Sequence, residues 1–399
     1  MSLVDKSLSW AKKGIPFNMK ITVVASTKVG YMLPKEEAIK FSGKAAGICY
    51  MPDTFETLNN EPEGKTKRRA ERTLKSGHHS VYGHPTYNLI FEGIPKILAM
   101  ILNNEKDYNT SEKSARYTHM EASVQEKALY EKWIELYEKR IAEVYPDMFT
   151  EKEIHKKAME NARYLISIFT PATTMLYSVD FRQLNYLVNW SKDYINNEID
   201  NSFSLKLKET LKDFINSMPD ITVDDLNAKG KNRKFSLFAE RERYEEFGEN
   251  YSTNYLASFA ELAQAQRHRT INYEMSLLDE AKFFVPPIIK DSKLEKEWLE
   301  DISSLKENYP QGMLVSVNER GTIENFIQKC YERICGAAQL EIMMQTKATM
   351  DKYINAVKEK PALYNKLLPY SKGASCTFPN KICTSPCKFG GVKALTRKI

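Results

Sequence analysis

The alternation in Met19 to Thr27 (MKITVVAST), with its β-branched residues, predicts a strand near the start of the fold. Pro34 to Tyr50 has helical spacing, and a polar Pro- and Gly-containing loop follows over Pro52 to Lys65. Tyr87 to Phe91 predicts a short strand and Ile94 to Leu102 a buried helix. Asn161 to Phe214 predicts a mostly helical stretch interrupted at Thr170-Pro171. Met218 to Lys234 turns to Pro, Asp, Asn, Gly and Lys, the composition of a linker. Beyond Lys360, Pro361, Pro369, Gly373, Pro379 and Pro386 predict an irregular tail.

Short matches recur in one order along the chain. Leu176 to Arg182 (LYSVDFR) resembles Leu314 to Arg320 (LVSVNER), and Tyr87 to Glu105 can be laid over Tyr251 to Arg269. Glu-Ile pairs follow at Glu198-Ile199 and Glu341-Ile342. The shared order predicts an internal duplication.

Composition narrows the functional classes. Lys and Arg exceed Asp and Glu by six, a surplus that suits anionic small molecules and is too small to argue for duplex nucleic-acid binding. No apolar run approaches the ~18 residues of a membrane span. The opening MSLVDKSLSWAKKG lacks the apolar core of a secretory signal, so the expected location is the cytoplasm. Six cysteines in 399 residues do not make a disulfide scaffold.

Three clusters carry candidate chemistry. Gln264-Ala265-Gln266-Arg267-His268-Arg269 closes an amphipathic run and gathers planar cationic donors suited to phosphates or an electron-rich ring; a solvated basic helix end is the bland alternative. Ser76 to His84 holds three of the six histidines beside glycines, and its spacing matches no zinc pattern, so a pocket-lining loop is expected and no metal. Ser114-Ala115-Arg116-Tyr117 offers a hydroxyl, a guanidinium and a phenol to a phosphate or sugar, or else a surface Arg with a packing Tyr. Cys376, Cys383 and Cys387 in the tail fall short of four metal ligands.

In this order the clusters resemble the flavin-dependent thymidylate synthases, which read G-H-x-S…H, Q-x-x-R-H-R, S-x-R-Y, N-x-R and a helix with A-Q-x-E-I. The resemblance implies an α+β fold of two tandem repeats, each a mixed sheet with packed helices, over residues 1–218 and 235–360. A linker over 219–234 and a Cys/Pro-containing tail over 361–399 complete the expected layout. The first repeat carries Gly77-His78-His79-Ser80, His84, Ser114-Ala115-Arg116-Tyr117 and Asp180-Phe181-Arg182, but Asn103-Asn104-Glu105 where Arg-His-Arg belongs. The second carries Gln264, Arg267-His268-Arg269, Asn318-Glu319-Arg320 and Arg333 with Ala338-Gln339-Leu340-Glu341-Ile342, but no His-x-Ser loop.

This complementarity predicts a composite site. The resemblance assigns catalysis to Arg267, His268 and Arg269, and flavin contacts to the same three with His78 and His84. It assigns substrate contacts to Gln264, Ser114, Arg116, Arg182, Arg320 and Arg333. It implies FAD as cofactor, NADPH and methylenetetrahydrofolate as co-substrates, dUMP as acceptor, and a homodimer of two-repeat chains. Where the family has a base-contacting Arg, this chain offers Lys206, Lys208, Lys347 or Asp351, which leaves the acceptor open to another pyrimidine nucleotide. A degenerate nucleotide- or flavin-binding subunit is the non-catalytic alternative.

Overall fold

The computed structural model describes residues 27–28, 30–48, 55–113, 122–224, 226, 233–384 and 386–399. The first half opens with helices α1 (Lys35–Ile48), α2 (Phe55–Asn59) and α3 (Glu63–Lys75). A 3-10 turn over His79–Gly83 leads into β1 (Thr86–Pro95), α4 (Lys96–Asn104) and β2 (Tyr108–Glu112). A helical hairpin follows, α5 (Val124–Val144) and α6 (Glu151–Ala162), and then β3 (Pro171–Asp180), α7 (Phe181–Asn197) and α8 (Ser202–Asn216). The second half contains β4 (Glu246–Phe247), β5 (Asn250–Ser258), α9 (Phe259–Ala265) and β6 (Asn272–Ser276). It continues through α10 (Lys293–Ser304), β7 (Leu314–Thr322), α11 (Ile323–Arg333) and α12 (Leu340–Ala356), and α13 (Pro361–Leu367) closes the regular part.

The architecture is mixed α+β with two antiparallel sheets. The first has the order β1-β3-β2, the second β4-β5-β7-β6. In each sheet a strand-helix-strand unit is completed by a later strand that enters between the first two. The interruption at Thr170-Pro171 is therefore the start of β3, the central strand of its sheet. Its ten residues, PATTMLYSVD, carry no run of β-branched apolar side chains, and their ladder partners lie 63 to 94 positions upstream. The expected strand at Met19 to Thr27 falls, apart from Thr27, outside the described residues.

The chain segments preceding the two central strands meet. Gln311 N–H donates to Ile166 O at 2.8 Å, Ile168 N–H to Tyr309 O at 3.0 Å, and Ser167 bridges Pro310 antiparallel. Both sheets contribute to one hydrophobic core, with Ile97, Met175 and Tyr177 from the first half and Leu262, Met275 and Val317 from the second. A second core joins the α5–α6 hairpin to α10, where Trp133 and Trp298 pack edge-to-face at 4.8 Å. Capping boxes at Ser123/Glu126 and Thr150/Glu153 start the hairpin's helices.

The tail begins as the helix α13 and then straps the halves together. Lys388 pairs with Glu153 at 2.8 Å, Lys398 N–H donates to Tyr145 Oη at 2.7 Å, and Arg397 donates to Ala338 O. Among the described residues, no helix is long and apolar enough to cross a membrane. Nor does any group of three or more His, Cys, Asp or Glu side chains among them suit a metal ion.

Candidate functional site

Helix α9 is capped by Ser258, whose Oγ accepts from Glu261 N–H at 3.1 Å, and it ends at Ala265, so Arg267, His268 and Arg269 fall in the turn after it. Arg267 reaches an enclosed cleft of about 260 Å³ between the halves. The first half supplies Lys96, Lys113 and Arg163 to that cleft. The second supplies Gln264, Arg267, Gln311, Arg333 and Gln339. Glu332 is the single acid lining it among the described residues. A shallower depression of about 540 Å³ is lined by one stretch of chain, Ser292 to Ser303, and encloses nothing.

The cleft concentrates positive charge. Lys96 is paired with Glu112 at 2.6 Å; burial pushes the Glu112 carboxyl up, but Lys96 and Arg267 together hold it below its ordinary value. Burial, and then the nearby Arg267 guanidinium, disfavour the charge on Arg333. Arg163, 7 % exposed, has a buried Nε with no hydrogen-bond acceptor among the described residues. Like charges drawn together around a cavity, with one acid among them, form a site that an anion stabilises.

His268 does not face this charge as a cation. Its Nε2 accepts from Arg333 Nε at 2.7 Å, and burial, reinforced by Arg333 and Lys329, drives its basicity down to about 2. The neutral ring thus holds the Arg333 guanidinium in place. Arg269 turns toward the first half, where Nη1 donates to Tyr108 O and Asn109 Oδ1, each at 2.6 Å. It joins the end of α9 to β2 and does not line the cleft.

The remaining sequence candidates divide. Gln264, Arg267 and Arg333 meet in the cleft. Ser114, Arg116 and Tyr117 lie outside the described residues; Lys113, their neighbour, lines the cleft. His78, His84 and Arg182 do not line it. His78 and His84 flank the 3-10 turn before β1, His84 lies edge-on to Phe41 at 6.5 Å, and Arg182 stands 3.7 Å from Asp180 beside Gly83. Arg320 lines a different pocket and pairs there with Glu274. The two N-x-R-type segments are not structurally equivalent, since Arg182 is the second residue of α7 whereas Arg320 sits inside β7. A match of seven letters does not register one strand against another.

That different pocket, of about 320 Å³, lies where Asn104 and Glu105 end α4. Glu105, 1 % exposed, accepts from Arg233 and from Ser236 N–H, while Arg241 and Arg320 both pair with Glu274. Three of its four cations are thus paired with its two acids, and the fourth, Lys106, donates to Ile271 O and Asn272 Oδ1.

Residues 30–199 match the family model of the thymidylate synthase complementing protein. The resemblance read in the sequence holds over that span, which is less than half of the chain. No curated protein matches it. The thymidylate synthase complementing family is flavin-dependent, so the match implies thymidylate synthase-type activity in general terms. The matched span contains Lys96, Lys113 and Arg163, whereas Gln264, Arg267, Arg333 and Gln339 lie beyond it. The cleft is thus lined from both sides of the match boundary. Arg163 was missed by motif reading; its signal was a charged residue opening the apolar run Tyr164 to Phe169.

Behind the cleft, Glu261 is wholly buried with neither carboxyl oxygen hydrogen-bonded among the described residues, and burial, with Glu341 and Glu319 adding, pushes it up to about 8. Glu261 and His268 set opposite pH limits. The folded His268 refuses a proton that the unfolded chain takes up below its ordinary 6.5, so stability present above pH 6.5 is lost as the pH falls. The folded Glu261 keeps a proton that the unfolded chain releases above its ordinary 4.5, so stability present below pH 4.5 is lost as the pH rises toward about 8. Between 4.5 and 6.5 the two slopes oppose each other. Urea midpoints across pH are expected to show a plateau there, with Glu261→Gln flattening the alkaline limb and His268→Asn the acid limb. Unchanged limbs in both variants would reject this assignment.

Proposed function

We propose that the cleft binds the phosphate of a pyrimidine nucleotide and that the chain methylates C5 of that base, most simply converting dUMP to dTMP. The observation that carries this reading is the convergence of Arg163, Lys113, Arg267 and Arg333 on one cavity with a single lining acid among the described residues. Each of the three guanidiniums can offer a phosphate a planar fork, and the Lys113 ammonium adds a point donor. Methylenetetrahydrofolate would supply the carbon unit and NADPH the reducing equivalents.

The donor set at the rim fits a phosphate-bearing cofactor such as FAD. Arg267 is exposed and has no hydrogen-bond or ion-pair partner among the described residues, so its fork is free. When bound, the flavin would supply hydride to the pyrimidine. The residues of this chain hold and orient: Arg267 at the rim, Arg163 at the wall, and Arg333 fixed by a neutral His268. In this reading Arg269 secures the turn that presents Arg267.

We also propose that the chain is an internal duplication, with repeats over 1–218 and 235–360 joined by a linker. The common order of elements in the two sheets supports it, as does the antiparallel bridge between Ser167 and Pro310, which joins the segments before the two central strands. One cleft is then built for anions, and its counterpart at Glu105 is closed by ion pairs. Two such chains would assemble as a homodimer that recreates a four-repeat arrangement.

The purified protein is expected to show visible flavin absorbance. Its reduced flavin should be oxidised on adding methylenetetrahydrofolate with dUMP, and more slowly or not at all with dCMP or UMP. A colourless protein that takes up no added FAD sinks the enzymatic reading.

A further inference from the structure

The 3-10 turn over Arg163–Leu165 delivers two residues of the first half to the wall between the halves. Arg163 faces the cleft, and Tyr164, 2 % exposed, points into the second half. Tyr164 Oη donates to Glu341 Oε2 at 2.8 Å. The same carboxylate accepts from Ser258 N–H at 2.9 Å and from Ser258 Oγ at 2.6 Å. With its proton committed to Glu341, the Tyr164 oxygen can only accept from the other side, and Gln339 Nε2 donates to it. Gln339 Oε1 in turn accepts from Gln264 Nε2. Gln339 and Gln264 both line the cleft, whereas Tyr164 and Glu341 do not.

The direction of this relay is fixed at its buried end. Burial pushes the Glu341 carboxyl up, while the donors from Ser258 and Tyr164 and the nearby Arg163 favour its ionised form; ionised, it has no proton to give, so every bond in the chain runs toward it. An amide placed at random has two orientations of similar energy, and a bonded series with a charged terminus has one. The amide of Gln264 therefore has one fixed oxygen and one remaining N–H for whatever occupies the cleft. Uracil and cytosine differ by exchanging an acceptor for a donor at C4 and a donor for an acceptor at N3. A site with fixed amide polarity rejects the base whose groups oppose it, because buried donors or acceptors are left unmatched.

We infer that Glu341 and Tyr164 are positioning residues that fix the polarity of the Gln339 and Gln264 amides and thereby set the cleft's choice between uracil and cytosine nucleotides. The inference rests on pyrimidine nucleotides being the cleft's ligands. Gln339 and Glu341 share one helix motif, but no motif contains Tyr164, whose contact with Glu341 spans 177 positions.

The test is calorimetric titration of the full chain with dUMP and with dCMP. Wild type is expected to prefer one of them by at least about tenfold. Tyr164→Phe, which removes one oxygen, and Glu341→Gln, which removes the fixed polarity, should each reduce that ratio to about threefold or less. Tyr251→Phe, which also deletes a buried phenol donating to a carboxylate (Glu319, at 2.6 Å), serves as the control and should keep the wild-type ratio. Should Tyr164→Phe fail to fold, Gln339→Met cuts the relay at the cleft end and reads the same ratio. If wild type binds neither nucleotide, the proposed function fails. If wild type binds both equally, or the variants keep the wild-type ratio, the relay inference is overturned while the nucleotide reading stands.

Discussion

Replacing Arg163 by Met is expected to weaken binding of a pyrimidine nucleoside monophosphate by about 10- to 100-fold, without lowering the melting temperature of the ligand-free protein. A charge-assisted hydrogen bond contributes about 1.5–3 kcal/mol, and its loss corresponds to roughly that range in affinity. The guanidinium is buried beside Arg267 and Lys113, its Nε has no acceptor and it forms no ion pair among the described residues. Removing it relieves a desolvated charge but also takes a nearby cation from the buried Glu341 carboxyl, so the two effects offset and the empty protein holds its stability. Calorimetric titration with dUMP and a thermal melt separate the two effects. Unchanged affinity, or a fall in melting temperature of several degrees, would show that Arg163 serves the fold and not the ligand.

The largest effect on stability is expected at Lys329. Its ammonium lies 2.7 Å from Glu319 Oε2, and both side chains are wholly buried. Glu319 also accepts from Tyr251 Oη and Tyr255 Oη at 2.6 Å each. Those two donors satisfy the carboxylate's geometry but bring no positive charge. Lys329→Met leaves a buried anion unpaired and should cost about 3–5 kcal/mol of unfolding free energy. Adding Glu319→Gln should recover part of that loss, because the neutral amide no longer needs a counter-charge. Urea unfolding of the single and double variants measures both. A single variant within about 1 kcal/mol of wild type, or a double variant less stable than the single, contradicts this account.

Legibility in the sequence followed the range of the interactions. The helix at Lys35–Ile48 and the helix at Lys96–Asn104 were foreseen because their apolar spacing is local. The strand at Pro171–Asp180 was not, because it is a strand by virtue of two distant partners. Among the residues lining the cleft, Gln264 and Arg267 belong to a contiguous motif, and Arg333 stands at a fixed distance from the Gln-x-Glu-Ile helix. Arg163, Lys96 and Lys113 carry no motif and reach the cleft only because the two halves share a core. His78, His84, Arg182 and Arg320 fitted patterns, yet each is placed on an element that faces elsewhere.

By itself the sequence determined the chemistry on hand: a dense cationic turn at Arg267 to Arg269, and an acid, Glu105, closing an apolar helix. Tertiary structure alone decided which cations share a cavity, that His268 is a neutral prop for Arg333, and that Glu105 closes its own pocket with Arg233. The physical reason is distance along the chain. Residue type and spacing fix what a side chain can donate, whereas the meeting of Arg163 with Arg267, 104 positions apart, depends on how two sheets pack their apolar faces against each other.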